Sequence, residues 1–323
     1  MFVESQFTAP WWLKNCHLQT ILAKYLRTEK LVCTSTQYIE TNDNDFLELA
    51  WTELPLSNQA KPIVVLLHGL EGSIDSHYVQ GMLKAIKAKG WIGVLLHFRG
   101  CGTKPNRTAT SYHSGFTKDI AYFSQYLNTH FPRHTKALVG FSLGGNVTAK
   151  FLAESDDHHF KAASVICAPI HLESASKRIN KGFSKVYQRY LVDMLKQSAQ
   201  QKVEQFKLPH FDLHEISKAD SIWQFDELYT APSNGFKDAQ DYYEQSSSAA
   251  LLSKIDIPCL FIHAEDDPFL CDEHLASLSL DTNNITFELS KRGGHVGFVT
   301  GNNPFKPEFW LEQRVPNFLS EIL

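Results

Sequence analysis

Cysteine is sparse in this chain, methionine is sparser, and long apolar runs are missing. The 323 residues hold six cysteines (Cys16, Cys33, Cys101, Cys167, Cys259 and Cys271) and no Cys-x-x-Cys spacing. Several sit inside apolar runs, where a cysteine acts as a small hydrophobe. Reduced thiols in a cytoplasmic protein account for such a pattern. The longest uninterrupted apolar runs are about six residues, against the roughly 20 that a membrane-spanning helix needs. The first residues, MFVESQFTAPWWLKN, have neither a basic start nor a long apolar core, so no secretory signal is expected. The formal net charge is -4, which gives no reason to expect nucleic acid as a partner. No internal repeat and no low-complexity segment is present. Fifteen histidines invite a metal reading. The pair set for one helical face is His210 and His214, in HFDLH, and no third ligand accompanies it. These two are expected to be solvated, as are His158 and His159 in a polar turn. No metal site is expected.

What is present is alternation. KPIVVLLHG, WIGVLLHF, KALVGF, ASVICAP, IPCLFIHA and ITFEL read as buried strands. Helical patterns separate the first four, among them YVQGMLKAIKAKG, FTKDIAYFSQYLNTHF and the stretch from Gly144 to about Glu154. Continuous apolar strands joined by helices predict an α/β fold, with a mostly parallel sheet covered on both faces. Ahead of them, TSTQYIET and DFLELAWTEL predict an antiparallel pair at one edge. From about His171 to Ser248 the alternation stops. Over Ile179 to Leu195, apolar residues recur with the spacing of one amphipathic helix. The segment 171–248 reads as a helical lid over the carboxyl edge of the sheet, where open α/β sheets bind ligands. The core is then 1–170 and 249–323.

GFSLG, Gly140 to Gly144, stands between a strand and a helix. The pattern G-x-S-x-G sets a serine on a sharp, strained turn, where bulky neighbours two residues away would collide. Ser142 is therefore the candidate nucleophile. A serine hydroxyl needs a base, and the base needs an orienting acid. HAEDDPF follows an apolar strand and supplies Asp266 and Asp267. RGGHVGF follows the next strand and supplies His295. The order Ser, Asp, His is the one expected behind a serine of this type. An oxyanion needs two N–H donors. One is expected from Leu143, after the serine, and one from Leu70 in HGLEGS. Arg99, His113 and Asp119 are expected to serve structure.

Taken together, HGLEGS, HFRGCG, YHSG, GFSLGGN, FDELYTAP, DAQDYY, HAEDDPF and GGHVGFV resemble the α/β-hydrolase-domain family of bacterial esterases related to eukaryotic membrane-lipid lipases. The resemblance runs from PWWLKNCHLQT nearly to the last residue. It implies an α/β-hydrolase fold, Ser142, Asp267 and His295 as charge-relay residues, and acyl-ester or lipid substrates. In the turn AEDDP, Asp267 takes the fourth place and precedes Pro268, which holds it out of the helical region.

The expected function is cleavage of carboxylic esters through an acyl-enzyme, with no cofactor. A thioesterase or acyltransferase would use the same three residues. A lipid-binding protein without catalysis would keep the pocket, but has no need of all three. The partner is a small-molecule or lipid ester. The basic face of this stretch, Lys177 to Leu195, with Lys177, Arg178, Lys181, Lys185 and Arg189, suits transient contact with a membrane surface. Most of its apolar stripe is expected to pack on the core. Oligomeric state, acyl length and alcohol moiety have no signature in the chain.

Overall fold

The strongest apolar runs become the middle of one sheet. The computed structural model describes residues 1–27, 32, 34–270 and 283–323. Cys33 and Cys271 lie outside the described residues. In chain order the first elements are β1 (Phe2–Glu4), α1 (Cys16–Leu26), β2 (Ser35–Glu40), β3 (Phe46–Trp51), β4 (Ile63–Leu67) and α2 (His77–Ala88). There follow β5 (Ile92–Leu96), α3 (Lys118–His130), β6 (Lys136–Phe141), α4 (Leu143–Glu154) and β7 (Ala162–Ile166). A helical stretch comes next: α5 (Leu172–Ile179), α6 (Ser184–Phe206), α7 (Leu213–Lys218), α8 (Ile222–Phe225), a π-helical turn (Asp226–Thr230), α9 (Ala231–Ser233) and α10 (Ala239–Ser246). The chain ends on β8 (Cys259–Ala264), β9 (Ile285–Ser290), β10 (Val299–Thr300), β11 (Glu308–Phe309) and α11 (Leu311–Ser320).

Among the described residues, nine strands form the sheet in the order β1-β9-β8-β7-β6-β4-β5-β3-β2. All neighbours run parallel except at one end, where β3 pairs antiparallel with β5 and β2 with β3. The parallel sheet and the antiparallel edge are as the alternation predicts. β1 has no counterpart in the sequence reading, because three residues are too few to show a period. Every residue of β4, β5, β6 and β7 is buried, as both faces of a covered sheet require. One face packs against α3 and α4 through Phe123, Leu127, Val147 and Phe151. The other packs against α2 and α11 through Val79, Leu83, Val315 and Leu319. Each fully buried aliphatic or aromatic side chain stabilises the fold by about 1.5–3 kcal/mol.

The stretch between β7 and β8 builds a small core of its own. Ala199 and Val203 of α6 meet Phe211, Ile216, Phe225 and Tyr229. The single helix expected over Ile179 to Leu195 is two helices. α5 stops at Ile179, and Gly182 turns the chain with a left-handed φ of +55° before α6 begins. The turn reaims the stripe. Phe183, Val186 and Tyr190 are exposed, so the expectation that most of the stripe packs on the core does not hold for these three.

The loop after β5 is held by charge. Arg99, buried, donates to both oxygens of Asp119 at the start of α3 and to Asp43 and Asp45 in the β2–β3 turn. Both residues thus have the structural role expected of them. Removing one member of a buried pair strands the other charge. Arg99→Met is expected to cost about 3–5 kcal/mol, seen as a lower urea midpoint, whereas Lys61→Met, which breaks an exposed pair with Glu53, should cost under about 1 kcal/mol.

Candidate active site

The site begins with a steric demand. Ser142 caps α4 with φ +51° and ψ -121°, a conformation that non-glycine residues rarely adopt. Its strand and helix must then pass very close to one another. A Cβ on Gly140 would lie 2.3 Å from the Gly144 carbonyl oxygen and from Thr148 Oγ1. A Cβ on Gly144 would lie 2.4 Å from the His68 carbonyl oxygen and 2.6 Å from that of Leu67. Only hydrogen fits at either position. Leu67 pairs with Gly140 across the sheet, so the loop after β4 lies directly against the serine turn.

That loop is fixed by two neutral histidines. His68 Nδ1 donates to the Gly69 carbonyl at 2.7 Å, while Nε2 accepts from Phe98 N–H at 3.1 Å. His97 Nε2 accepts from Ile74 N–H. Burial pushes the His68 pKa down to about 3, so the ring stays neutral and one tautomer persists. Among the described residues, the backbone N–H groups of Leu70 and Leu143 have no acceptor. Both residues line the same cavity as Ser142.

Ser142, His295 and Asp267 come together from three separate strand exits. Ser142 Oγ lies 2.9 Å from His295 Nε2, and His295 Nδ1 lies 2.8 Å from Asp267 Oδ2. Asp267 is buried, and its other oxygen accepts from Phe269 N–H at 2.7 Å. Asp266 does not reach the imidazole. Its Oδ1 accepts from Gly294 N–H at 2.9 Å and so braces the histidine loop. The His295 ring lies flat on Phe269, with centroids 4.1 Å apart, which fixes its plane.

Cys167 sits beside this row. Its sulfur, with an Asp267 oxygen and a His295 nitrogen, forms a group of possible metal ligands. The chemistry of the three does not suit a metal. Both His295 nitrogens are already engaged, and burial holds the thiol well above its ordinary pKa, whereas a metal binds thiolate. His210 and His214 are exposed and converge on no third ligand among the described residues.

The profile of the family described as alpha/beta hydrolase fold matches residues 62–302. The chain belongs to the α/β-hydrolase family. YheT of Escherichia coli (strain K12), whose name carries the word esterase, is 42% identical over 312 residues, 96% of this chain and 91% of that one. A monoacylglycerol lipase of Saccharomyces cerevisiae is 29% identical over 251 residues, 75% of this chain and 56% of its own. The Bos taurus phospholipase ABHD3 is 25% identical over 297 residues, 90% of this chain and 72% of its own. Among solved structures, the Pyrococcus furiosus esterase Pf2001 has a TM-score of 0.59 over 99% of this chain and 97% of its own, at 18% identity, a likeness of fold.

The α/β-hydrolase cavity above Ser142 has a volume of about 1030 Å³. α5, α6, α8 and α10 roof it with Ile179, Leu191, Leu195, Ile222, Phe225 and Tyr242. His113 lies in its wall, packed against Phe116, Phe236 and Tyr242 and accepting from Gly115 N–H, the loop bond expected of it.

Two sets of residues around the hydrolase site had no role in the sequence reading. The first is on α1. Thr20 Oγ1 accepts from His295 N–H at 2.9 Å, and buried Gln19 bonds Val299 through both ends of its amide. Both residues lie in PWWLKNCHLQT, the segment at which the family resemblance begins. The second is Glu71, in the left-handed region at φ +51°. Its carboxylate accepts from Tyr112 at 2.7 Å and from Ser198 of α6 at 2.6 Å, so one side chain ties the loop of Leu70 to the cavity roof. An acid in a glycine-rich loop was the available signal.

Two outcomes are expected. Asp267→Asn keeps the shape but disfavours the tautomer that leaves Nε2 free, and should lower kcat on an activated ester about 10⁴-fold if the protease precedent carries over. Asp266→Asn keeps an acceptor for Gly294 N–H and should cost far less. Stability should also fall in acid. Burial lowers the pKa of His68 to about 3 and of His263 to about 4, while an unfolded histidine titrates near 6.5. Their contribution is whole above about pH 6.5 and is lost as pH falls towards 3–4, at most about 1.4 kcal/mol per pH unit from each. Urea midpoints between pH 7.5 and 4.5 would register it.

Proposed function

We propose that this protein is a serine hydrolase that cleaves carboxylic (acyl) esters through an acyl-enzyme. The observation that carries the reading is the unbroken row Ser142 Oγ, His295 Nε2, His295 Nδ1, Asp267 Oδ2 at the floor of an apolar cavity. In this reading His295 takes the hydroxyl proton as Ser142 attacks the ester carbonyl. The negative oxygen is met by the free N–H groups of Leu70 and Leu143 and by the start of α4. The tetrahedral species collapses, and His295 passes the proton to the departing alcohol. Water then attacks the acyl-enzyme, His295 takes its proton, and the acid is released as the proton returns to Ser142. Asp267 holds the tautomer and stabilises the imidazolium throughout. Every proton has a donor and an acceptor among these groups, so no cofactor enters the scheme.

We read residues 171–248 as a lid on a core of 1–170 and 249–323. Its roof of aromatic and aliphatic side chains favours an acyl chain over a polar substrate. The names of the relatives, esterase, monoacylglycerol lipase and phospholipase, belong to the same range of chemistry. A small-molecule or lipid ester is accordingly the proposed substrate. A cytoplasmic setting is consistent with free Cys16, Cys101, Cys167 and Cys259, and no helix among the described residues is long and apolar enough to cross a membrane.

The test is Ser142→Ala. Labelling by a fluorophosphonate should disappear, and turnover of p-nitrophenyl esters should fall on the order of 10⁶-fold. Circular dichroism should be unchanged, since one hydroxyl is removed from a turn whose shape the backbone sets. Turnover at the wild-type level would overturn the mechanism.

A further inference from the structure

α1 and α6 are far apart in sequence, yet their first turns meet. His17 Nδ1 lies 3.1 Å from the Tyr187 hydroxyl, and its ring packs on Phe183 with centroids 4.6 Å apart. From that junction each helix sends an apolar row outward at the same spacing, i, i+3 and i+7. On α1 the row is Leu18, Ile21 and Tyr25, and at the start of α6 it is Phe183, Val186 and Tyr190. All six are between 36% and 69% exposed. They make up six of the thirteen large apolar side chains exposed among the described residues. Four of them (Ile21, Tyr25, Val186 and Tyr190) also line the cavity over Ser142, so the patch rims its mouth.

The charge on the two segments that carry these rows is of one sign. Residues 11–26 and 181–192 contain no Asp or Glu, whereas they contain Lys14, Lys24, Lys181, Lys185 and Arg189, all five exposed. Among the described residues none of these five is paired with a carboxylate. The whole chain carries a net charge of -4, so the cationic rim runs against the balance of the molecule. Apolar rows flanked by unpaired cations match an interface of acyl chains beneath anionic headgroups, in which the rows enter the boundary and the cations meet phosphate.

We infer that this two-helix rim is a docking surface for an anionic lipid bilayer, and that it sets the cavity mouth against the lipid. The inference rests on the reading of the cavity as an ester-hydrolase site. It adds α1, which the lid does not include, as half of the contact. An ester lying in the outer lipid layer then reaches Ser142 between the two rows, without crossing water. α6 is braced to the core further along, by Ser198 to Glu71 and by Lys202 to the Thr110 carbonyl, so its exposed first half is a fixed surface.

The full chain is sedimented with vesicles of phosphatidylcholine alone and of phosphatidylcholine with 30% phosphatidylglycerol. Binding is expected on the anionic vesicles, weakened by 0.5 M NaCl. A variant carrying Lys181→Glu, Lys185→Glu and Arg189→Glu should bind them roughly 10²-fold more weakly or worse, at about 1 kcal/mol per cation removed. Leu18→Ser with Phe183→Ser, two rim residues outside the cavity lining, should weaken binding to both vesicle types. Both variants should turn over a short water-soluble p-nitrophenyl ester at the wild-type rate. Equal binding of the wild type to both vesicle types, binding to neither, or full binding by the charge-reversed variant would overturn the inference. So would a dimer in sedimentation velocity that Leu18→Ser with Phe183→Ser dissolves, since a second copy would then cover the patch. Anionic-vesicle binding by a wild-type protein that turns over no ester would instead sink the hydrolase reading and leave the surface standing.

Discussion

The contact that everything else leans on is the one between backbone atoms at the serine turn. β6, the first turn of α4 and the end of β4 share a space that admits no Cβ at Gly140 or Gly144. This closeness holds Ser142 in the left-handed region, with its hydroxyl raised off the sheet and the first N–H groups of α4 beneath it. It also sets the loop of Leu70 against the serine turn. A strained serine persists only where its surroundings over-determine it, and here the surroundings are the central strands of a nine-stranded sheet.

Around that point the chain uses neutral groups as struts. His68 and His97 hold the loop after β4 by hydrogen bonds that require an uncharged imidazole, and burial keeps His68 uncharged. His295 differs, because both its nitrogens face polar side chains, Asp267 on one side and Ser142 on the other. The loop that carries His295 does not stand alone. Thr20 of α1 takes its N–H, Asp266 takes that of Gly294, and Phe269 covers its ring. An early helix, two turns after strands and a stacked aromatic thus define one imidazole position.

The helical stretch between β7 and β8 is attached at separate points. Its long helix α6 is tied to the core at Ser184, which donates to the Pro268 carbonyl next to Asp267, and again at Ser198, which donates to Glu71 next to Leu70. Both ties end one residue from a group of the candidate site. The side of the helix between them that faces away from the core carries Val186 and Tyr190. The element that roofs the cavity is therefore also the element that offers apolar surface at its mouth.

Much of this is legible in the sequence. Period and run length are local properties, so the alternation of buried strands and helices announced the parallel sheet and its antiparallel edge. Gly140 and Gly144 flank Ser142 for a steric reason that a five-residue pattern carries whole. Ser142, Asp267 and His295 each stand behind a strand, and parallel topology brings strand exits to one edge. What the letters alone could not decide is what depends on meeting at a distance. A single left-handed glycine, Gly182, split the helix read over 179–195 and turned Phe183, Val186 and Tyr190 outward, since periodicity gives a face but not its direction. Asp266 and Asp267 are chemically alike; the turn AEDDP and Pro268 already favour Asp267 in the sequence, and the path of the chain supplies their partners, Gly294 for Asp266 and His295 for Asp267. Nothing local in the sequence gives Thr20, Gln19 and Glu71 their partners. Their partners lie 275, 280 and 127 residues away, and only the tertiary fold brings them within hydrogen-bond reach.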